Sequence, residues 1–127
     1  MAQEAKWSWS DTMDALIAAP KHHRLLFENE LVRVLETSVP PGETVPIHTH
    51  RWPSILYVLS MDDFIRRDEA GRVVVDSRLI KPAAESSPAV WSAALPPHTL
   101  ENIGRREIRC INVELKNDPL LRDASRG

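Results

Sequence analysis

A single cysteine, Cys110, stands among 127 residues, so no internal disulfide can close and a reducing, cytoplasmic setting is expected. Charge of one sign is also missing. The 16 Lys and Arg nearly balance 18 Asp and Glu, leaving no general attraction toward phosphate backbones or anionic membranes, so nucleic acid is not an expected partner. The polar start from Met1 to Trp7 and the short Ala15 to Ala19 run do not suit a secretory signal, and no transmembrane segment is read. A nucleophile triad, a phosphate loop, paired catalytic carboxylates and a CxxC motif are all missing. Function is therefore expected to rest on a metal or on a cavity.

What is present is ordinary for a folded chain, with 43% hydrophobic and 27% charged residues. The length suits one domain of about 100–150 residues. Ser10 or Asp11 is the expected cap of a short helix that carries Asp14 in its first turn, with Met13, Leu16 and Ile17 as its apolar positions and Pro20 ending it. From Leu31 the texture changes to short runs of Val, Ile and Leu broken by Pro, Gly and acidic residues, which predicts strands. Eight are expected: Leu31–Val39, Val45–His50, Ile55–Ser60, Phe64–Asp68, Arg72–Arg78, Ala89–Ala93, Leu95–Asn102 and Ile108–Leu115. Asp68-Glu-Ala-Gly71 predicts a hairpin over 64–78. In the last strand Ile108, Cys110, Asn112 and Glu114 share one face, and Arg109, Ile111, Val113 and Leu115 the other. The ten prolines fall mostly in the connections, where they fix turns.

The segment Pro40-Pro-Gly-Glu-Thr-Val-Pro-Ile-His48-Thr-His50 ends an extended run with two histidines of period two, which puts both imidazoles on one face. Neutral imidazole is the commonest nitrogen ligand of first-row metals, and two from one strand supply two adjacent coordination positions. A third ligand has to come from elsewhere. His98, behind the rigid Pro96-Pro97 pair, is the best-placed residue, although on its own a hydrogen-bonded barrel histidine describes it as well.

These residues resemble the cupin superfamily. Its first motif runs glycine, five residues, His-x-His, three or four residues, glutamate, and later another glycine; Gly42, His48 and His50 match it. The run from Ser54 through Tyr57 to Ser60 is similar to the strand that follows, and His98 with Asn102 matches the His and Asn that close the second motif. The resemblance spans about residues 30 to 116. It implies an all-β fold, the cupin double-stranded β-helix or jelly-roll barrel (30–116), after an N-terminal extension with a short helix (1–29) and before a C-terminal tail (117–127).

Departures from the motifs matter as well. Ser54 stands where cupins usually place a metal-binding glutamate, Met61 replaces the turn glycine, and Ser87, Ala93 and Leu95 miss the earlier positions of the second motif. The resemblance thus implies His48, His50 and His98 as metal ligands without a carboxylate, similar to three-histidine cupins such as thiol and diketone dioxygenases. One divalent first-row metal, Fe, Mn, Ni or Zn, is the implied cofactor. Its charge would go uncompensated by three neutral ligands, which favours a small anionic molecule in the open positions.

Ser54 reads as a small filler residue in the barrel rather than a ligand, with a hydroxyl able to hold a metal-bound water as the alternative. Asn102 reads as shaping the turn before the last strand. Arg51 and Trp52 fit equally a pocket rim and a surface loop anchored by a packed indole. His22 and His23 are adjacent on an extended chain and cannot both face one ion, so a solvated turn is expected there. Tyr57 should face away from Ser54, and Cys110 reads as a buried small residue. Trp7 and Trp9 are available to cover the barrel or a partner subunit, and a homodimer is expected.

Two functions follow from this reading. The first is a metal-dependent, dioxygenase-like enzyme acting on a small molecule, with a looser similarity to short bacterial cupins of β-alanine catabolism. The second is a non-catalytic cupin that binds a ligand or metal as a sensor or structural module, and a metal-free barrel is a third reading.

Overall fold

A computed structural model describes residues 7–80 and 87–116. Among the described residues nine strands run in chain order: β1 His23–Glu28, β2 Val32–Val39, β3 Thr44–His50, β4 Ser54–Ser60, β5 Phe64–Asp68, β6 Val73–Asp76, β7 Ala89–Ser92, β8 Leu95–Asn102 and β9 Ile108–Leu115. Three of them match the sequence expectation end to end, and β1 is additional. It lies within the stretch read as an extension, yet pairs with β2, so the sheet begins at His23. The tail expected at 117–127 lies outside the described residues.

The strands form two antiparallel sheets, one in the order β1-β2-β9-β4-β7 and the other β3-β8-β5-β6. Short elements precede them. Ser10 caps a 3-10 turn at Asp11–Met13, and Asp14, expected inside the first turn, is instead the N-cap of α1, Ala15–Ala18. The hairpin β5–β6 forms as expected. Gly71 supplies a φ of 84°, a left-handed conformation open to glycine without a Cβ clash, while Asp68 Oδ1 accepts from the N–H groups of Ala70 and Arg72.

The two sheets meet over a core of Ala19, Val39, Val45 and Ile108, joined by Met61, Phe64 and Leu100. Val39 and Ile108 come from the five-stranded sheet, Val45 and Leu100 from the other. Each large aliphatic chain shut away there contributes roughly 1.5–3 kcal/mol. In β9 the buried face is that of Ile108, Cys110, Asn112 and Glu114. The outward face of the five-stranded sheet carries an apolar row in backbone register across every strand: Phe27, Val34, Val113, Ile55 and Trp91. Trp91 is 61% exposed and Phe27 53%. No helix among the described residues is long and apolar enough to cross a membrane.

Candidate functional site

Between the sheets lies a cavity of about 110 Å³ whose wall carries four imidazoles, His23, His48, His50 and His98, among its polar groups. Period two along β3 turns His48 and His50 to the same side, and the β3–β8 register sets His98 directly opposite His48. The register slips between His48 and His50, a bulge of the kind that re-aims side chains beside functional sites. Ring centroids stand 5.0 Å apart for His48 and His50, 4.3 Å for His48 and His98, and 5.7 Å for His50 and His98.

His23 completes the group. Its ring lies 4.8 Å from that of His48 and 5.3 Å from that of His50, and the ligand nitrogens of His23, His48 and His50 all fall within 4.8 Å of one another. The expectation of a solvated turn at His22 and His23 is corrected, since both are buried. The pairing argument still holds: only His23 reaches the cavity, while His22 Nε2 bonds Glu43 at 2.9 Å.

All four cavity histidines are oriented through the same nitrogen. His48 Nδ1 meets the Pro46 carbonyl at 2.7 Å, and His98 Nδ1 the Pro96 carbonyl at 2.8 Å, a repeated Pro-x-His arrangement on facing strands. His23 Nδ1 meets the Ala19 carbonyl at 3.0 Å, at the C-terminal end of α1 where helix carbonyls lack intrahelical partners. His50 Nδ1 lies 3.0 Å from Glu114 Oε2. A carbonyl oxygen only accepts, so Nδ1 of His23, His48 and His98 carries the hydrogen, and the unprotonated lone pair of each ring belongs to Nε2. Glu114 sets the same tautomer at His50. Burial also favours the neutral rings, holding His23 down to about 4 and His98 down to about 3, and His48 well below the usual imidazole range.

Behind His50 runs a buried chain of charge. Glu114 has no solvent exposure, and its other oxygen accepts from Arg33 Nε at 2.6 Å. Arg33 in turn donates through both terminal nitrogens to Asp14, at 3.0 and 2.8 Å, which fastens the N-terminal segment to the site. Burial alone would depress the guanidinium, but the bonds to Asp14 and Glu114 outweigh it and raise it.

The remaining sequence candidates divide. Ser54 is buried and lines the cavity. Asn102 does not line it; its Nδ2 donates to the Val39 and Arg106 carbonyls and its Oδ1 accepts from Gly104 N–H, which holds the turn before β9. Arg51 and Trp52 are also away from the wall: Arg51 is exposed, and the Trp52 ring lies under Arg33 at 5.0 Å. Tyr57 faces outward, and Trp7 and Trp9 stack edge to face at 4.8 Å. Cys110 lines the cavity, with burial pushing its thiol up to about 11, so it is not a thiolate nucleophile at neutral pH. Three contributors escaped the sequence reading: His23, Glu114 and Arg66, the last a half-buried cavity residue on β5.

A set of unprotonated imidazole nitrogens around one cavity is the donor chemistry a first-row divalent metal requires, so the residues fit such an ion. No protein-family model matches the chain, and no curated protein matches it. Solved structures do. A cupin domain from Bordetella pertussis superposes with a TM-score of 0.58 at 20% identity, over 74% of this chain and 91% of that one. An RmlC-like cupin family protein with a double-stranded β-helix fold from Methanocaldococcus jannaschii gives 0.51 at 14% identity, over 96% and 98%. A double-stranded β-helix protein from Klebsiella pneumoniae gives 0.51 at 16%, over 73% and 70%. The fold of this chain is the cupin double-stranded β-helix.

Proposed function

We propose that this cupin binds one divalent first-row metal ion through His48, His50 and His98, with His23 as a fourth donor, and acts on a small anionic molecule at that ion. The observation that carries the reading is the shared orientation of the four rings, whose Nδ1 atoms are all engaged and whose Nε2 atoms are left as donors. The ion would supply Lewis acidity and open coordination positions. The chain supplies the rest. Nδ1 contacts fix the rings, Glu114 keeps His50 in the donor tautomer, and Leu56, Leu95 and Leu100 add apolar surface to the cavity. Neutral donors leave the metal charge uncompensated at the cavity, which favours an anion beside it. The reaction class that fits the resemblance is dioxygenase-like.

A second reading, a non-catalytic binding module, is favoured by two observations: no carboxylate is among the described cavity-lining residues, and Cys110 is a protonated thiol. The apolar row from Phe27 to Trp91 favours a homodimer, and the lone buried cysteine suits a reducing, cytoplasmic setting.

The test is elemental analysis of protein purified without chelator or nickel, repeated on His23→Ala, His48→Ala, His50→Ala and His98→Ala. Near-stoichiometric metal in the wild type, lost in the His48 and His50 variants and reduced in the other two, is expected. Wild-type metal content in all four variants would overturn the site.

A further inference from the structure

Among the described residues Arg66 has no hydrogen-bond or ion-pair partner for its side chain. It sits on β5 opposite Leu100 of β8, one inward step from His98, and its side chain lines the same cavity as the histidines. Its Nε is shut off from solvent and meets no acceptor, and among the described residues no carboxylate pairs with it. The contrast with Arg33 is direct. Arg33, which is buried, is held by Asp14 and Glu114, as a buried guanidinium ordinarily must be. A guanidinium in a cavity wall whose Nε is buried without an acceptor carries a cost for the fold, and such a group calls for a ligand that completes it.

Each feature of the surroundings narrows that ligand. Arg66 is the one formally charged side chain among the described lining residues, so the cavity wall is cationic even before a metal is considered. The planar fork of N–H donors matches two oxygens of a carboxylate. Phe64 and Leu100 flank Arg66 on the wall and suit a short carbon chain. The cavity, about 110 Å³ and partly open to solvent, has room for a small organic acid of a few carbons.

We propose that Arg66 is the substrate-recognition residue of this cavity, binding the carboxylate of a small organic acid whose other end points toward the histidine cluster. This deepens the reading of the cavity as a metal-dependent anion site and rests on it for the role of the far end alone. The carboxylate contact itself does not require the ion.

Calorimetric titration with propionate, which has three carbons and one carboxylate, tests it, with the uncharged isostere propionamide as control. Metal content is measured on every sample. Wild-type protein should take up one propionate per chain, and propionamide at least about tenfold more weakly. Arg66→Gln should lose at least about tenfold in propionate affinity, with its metal content unchanged, and Arg66→Lys, which keeps the charge but not the fork, should fall between. Propionate should raise the melting temperature of the wild type but not of Arg66→Gln. The unliganded Arg66→Gln protein should melt no lower than the wild type, because an unpaired buried charge has been removed. Equal propionate binding by Arg66→Gln, no binding by the wild type, or an Arg66→Gln protein that melts well below the wild type would each overturn the assignment. Propionate binding that depends on Arg66 in protein free of metal would uphold it while sinking the metal centre; stoichiometric metal with Arg66-independent binding would do the reverse.

Discussion

His50 Nδ1 and Glu114 Oε2 lie 3.0 Å apart, and the carboxylate that holds the ring has no contact with solvent. The carboxylate missing from the cupin motif at Ser54 thus has a counterpart on another strand, behind a histidine rather than in the cavity. Glu114 faces Ser54 across the β4–β9 pair, so the small serine and the long glutamate are neighbours in register. A carboxylate in this position orients the ring and fixes the tautomer in which Nε2 is the donor.

Glu114→Gln is accordingly expected to lower metal affinity by about 10- to 100-fold, while the three other rings keep their contacts. It also leaves Arg33 with Asp14 as its remaining charged partner, and breaking a buried ion pair costs about 3–5 kcal/mol. Competition with a chelator measures the first effect, and denaturant unfolding in the presence of that chelator the second. Unchanged metal affinity would remove Glu114 from the site.

Much of this was legible in the sequence, for reasons that differ between elements. Runs of Val, Ile and Leu set β5, β8 and β9 at their observed bounds, with clear alternation in β9, and the motif spacing singled out His48, His50 and His98, all of which line the cavity, while the tightest group there is His23, His48 and His50. The contributors that escaped are polar residues at inward positions. In β9 the inward face holds Asn112 and Glu114 while Ile111, Val113 and Leu115 face out, so hydrophobicity favours the wrong side. In β5 the apolar Ile65 draws attention from Arg66 in the same way. β1 is an edge strand with only His23 buried, leaving no burial pattern to read. Its role depends on the Ala19 carbonyl and the pairing with Thr37, both set by tertiary contacts.

Acid should destabilise the metal-free protein. Burial, chiefly, holds His23 down to about 4 and His98 to about 3 in the folded chain, whereas an unfolded imidazole titrates near 6.5. As pH falls below about 6.5 the unfolded state takes up protons that the folded state refuses, so stability declines until the folded groups protonate as well. Between about pH 7 and pH 4.5 the expected loss is on the order of a few kcal/mol. Thermal melts in chelator across this range measure it, and replacing both His23 and His98 by Gln should reduce the slope of the profile, with the remainder due to His48. A melting temperature that does not change with pH would contradict the neutral-ring assignment.

The outward row of Phe27, Val34, Val113, Ile55 and Trp91 leads to an expectation about assembly. Contiguous exposed apolar residues of this kind mark interaction surfaces, and closed pairs of identical chains are the commonest assembly. Light scattering at micromolar concentration should give twice the chain mass, and Trp91→Arg, at a 61% exposed position, should give a monomer with an unchanged circular dichroism spectrum. A wild-type mass of one chain would refute the pairing.

Two aspartates three residues apart should behave very differently when replaced. Asp14 caps α1 by accepting from Leu16 N–H at 3.0 Å, and the same side chain takes both terminal nitrogens of Arg33. Asp11 is 85% exposed at the side chain and reaches Arg51 only at 3.5 Å. Loss of a helix cap costs about 1 kcal/mol, and loss of one partner from a largely buried pair about 3–5 more, so Asp14→Ala is expected to destabilise by about 4–6 kcal/mol. Asp11→Ala should stay within about 0.5–1 kcal/mol of the wild type, as exposed pairs do. The stronger expectation concerns the site itself. Because α1 ends on the Ala19 carbonyl that orients His23, and Arg33 relays Asp14 to Glu114 and His50, Asp14→Ala should also weaken metal binding from outside the cavity. Chelator competition on both variants under conditions where each is folded checks this, and equal metal affinity for Asp14→Ala and Asp11→Ala would show that the N-terminal segment supports the barrel without tuning its histidines.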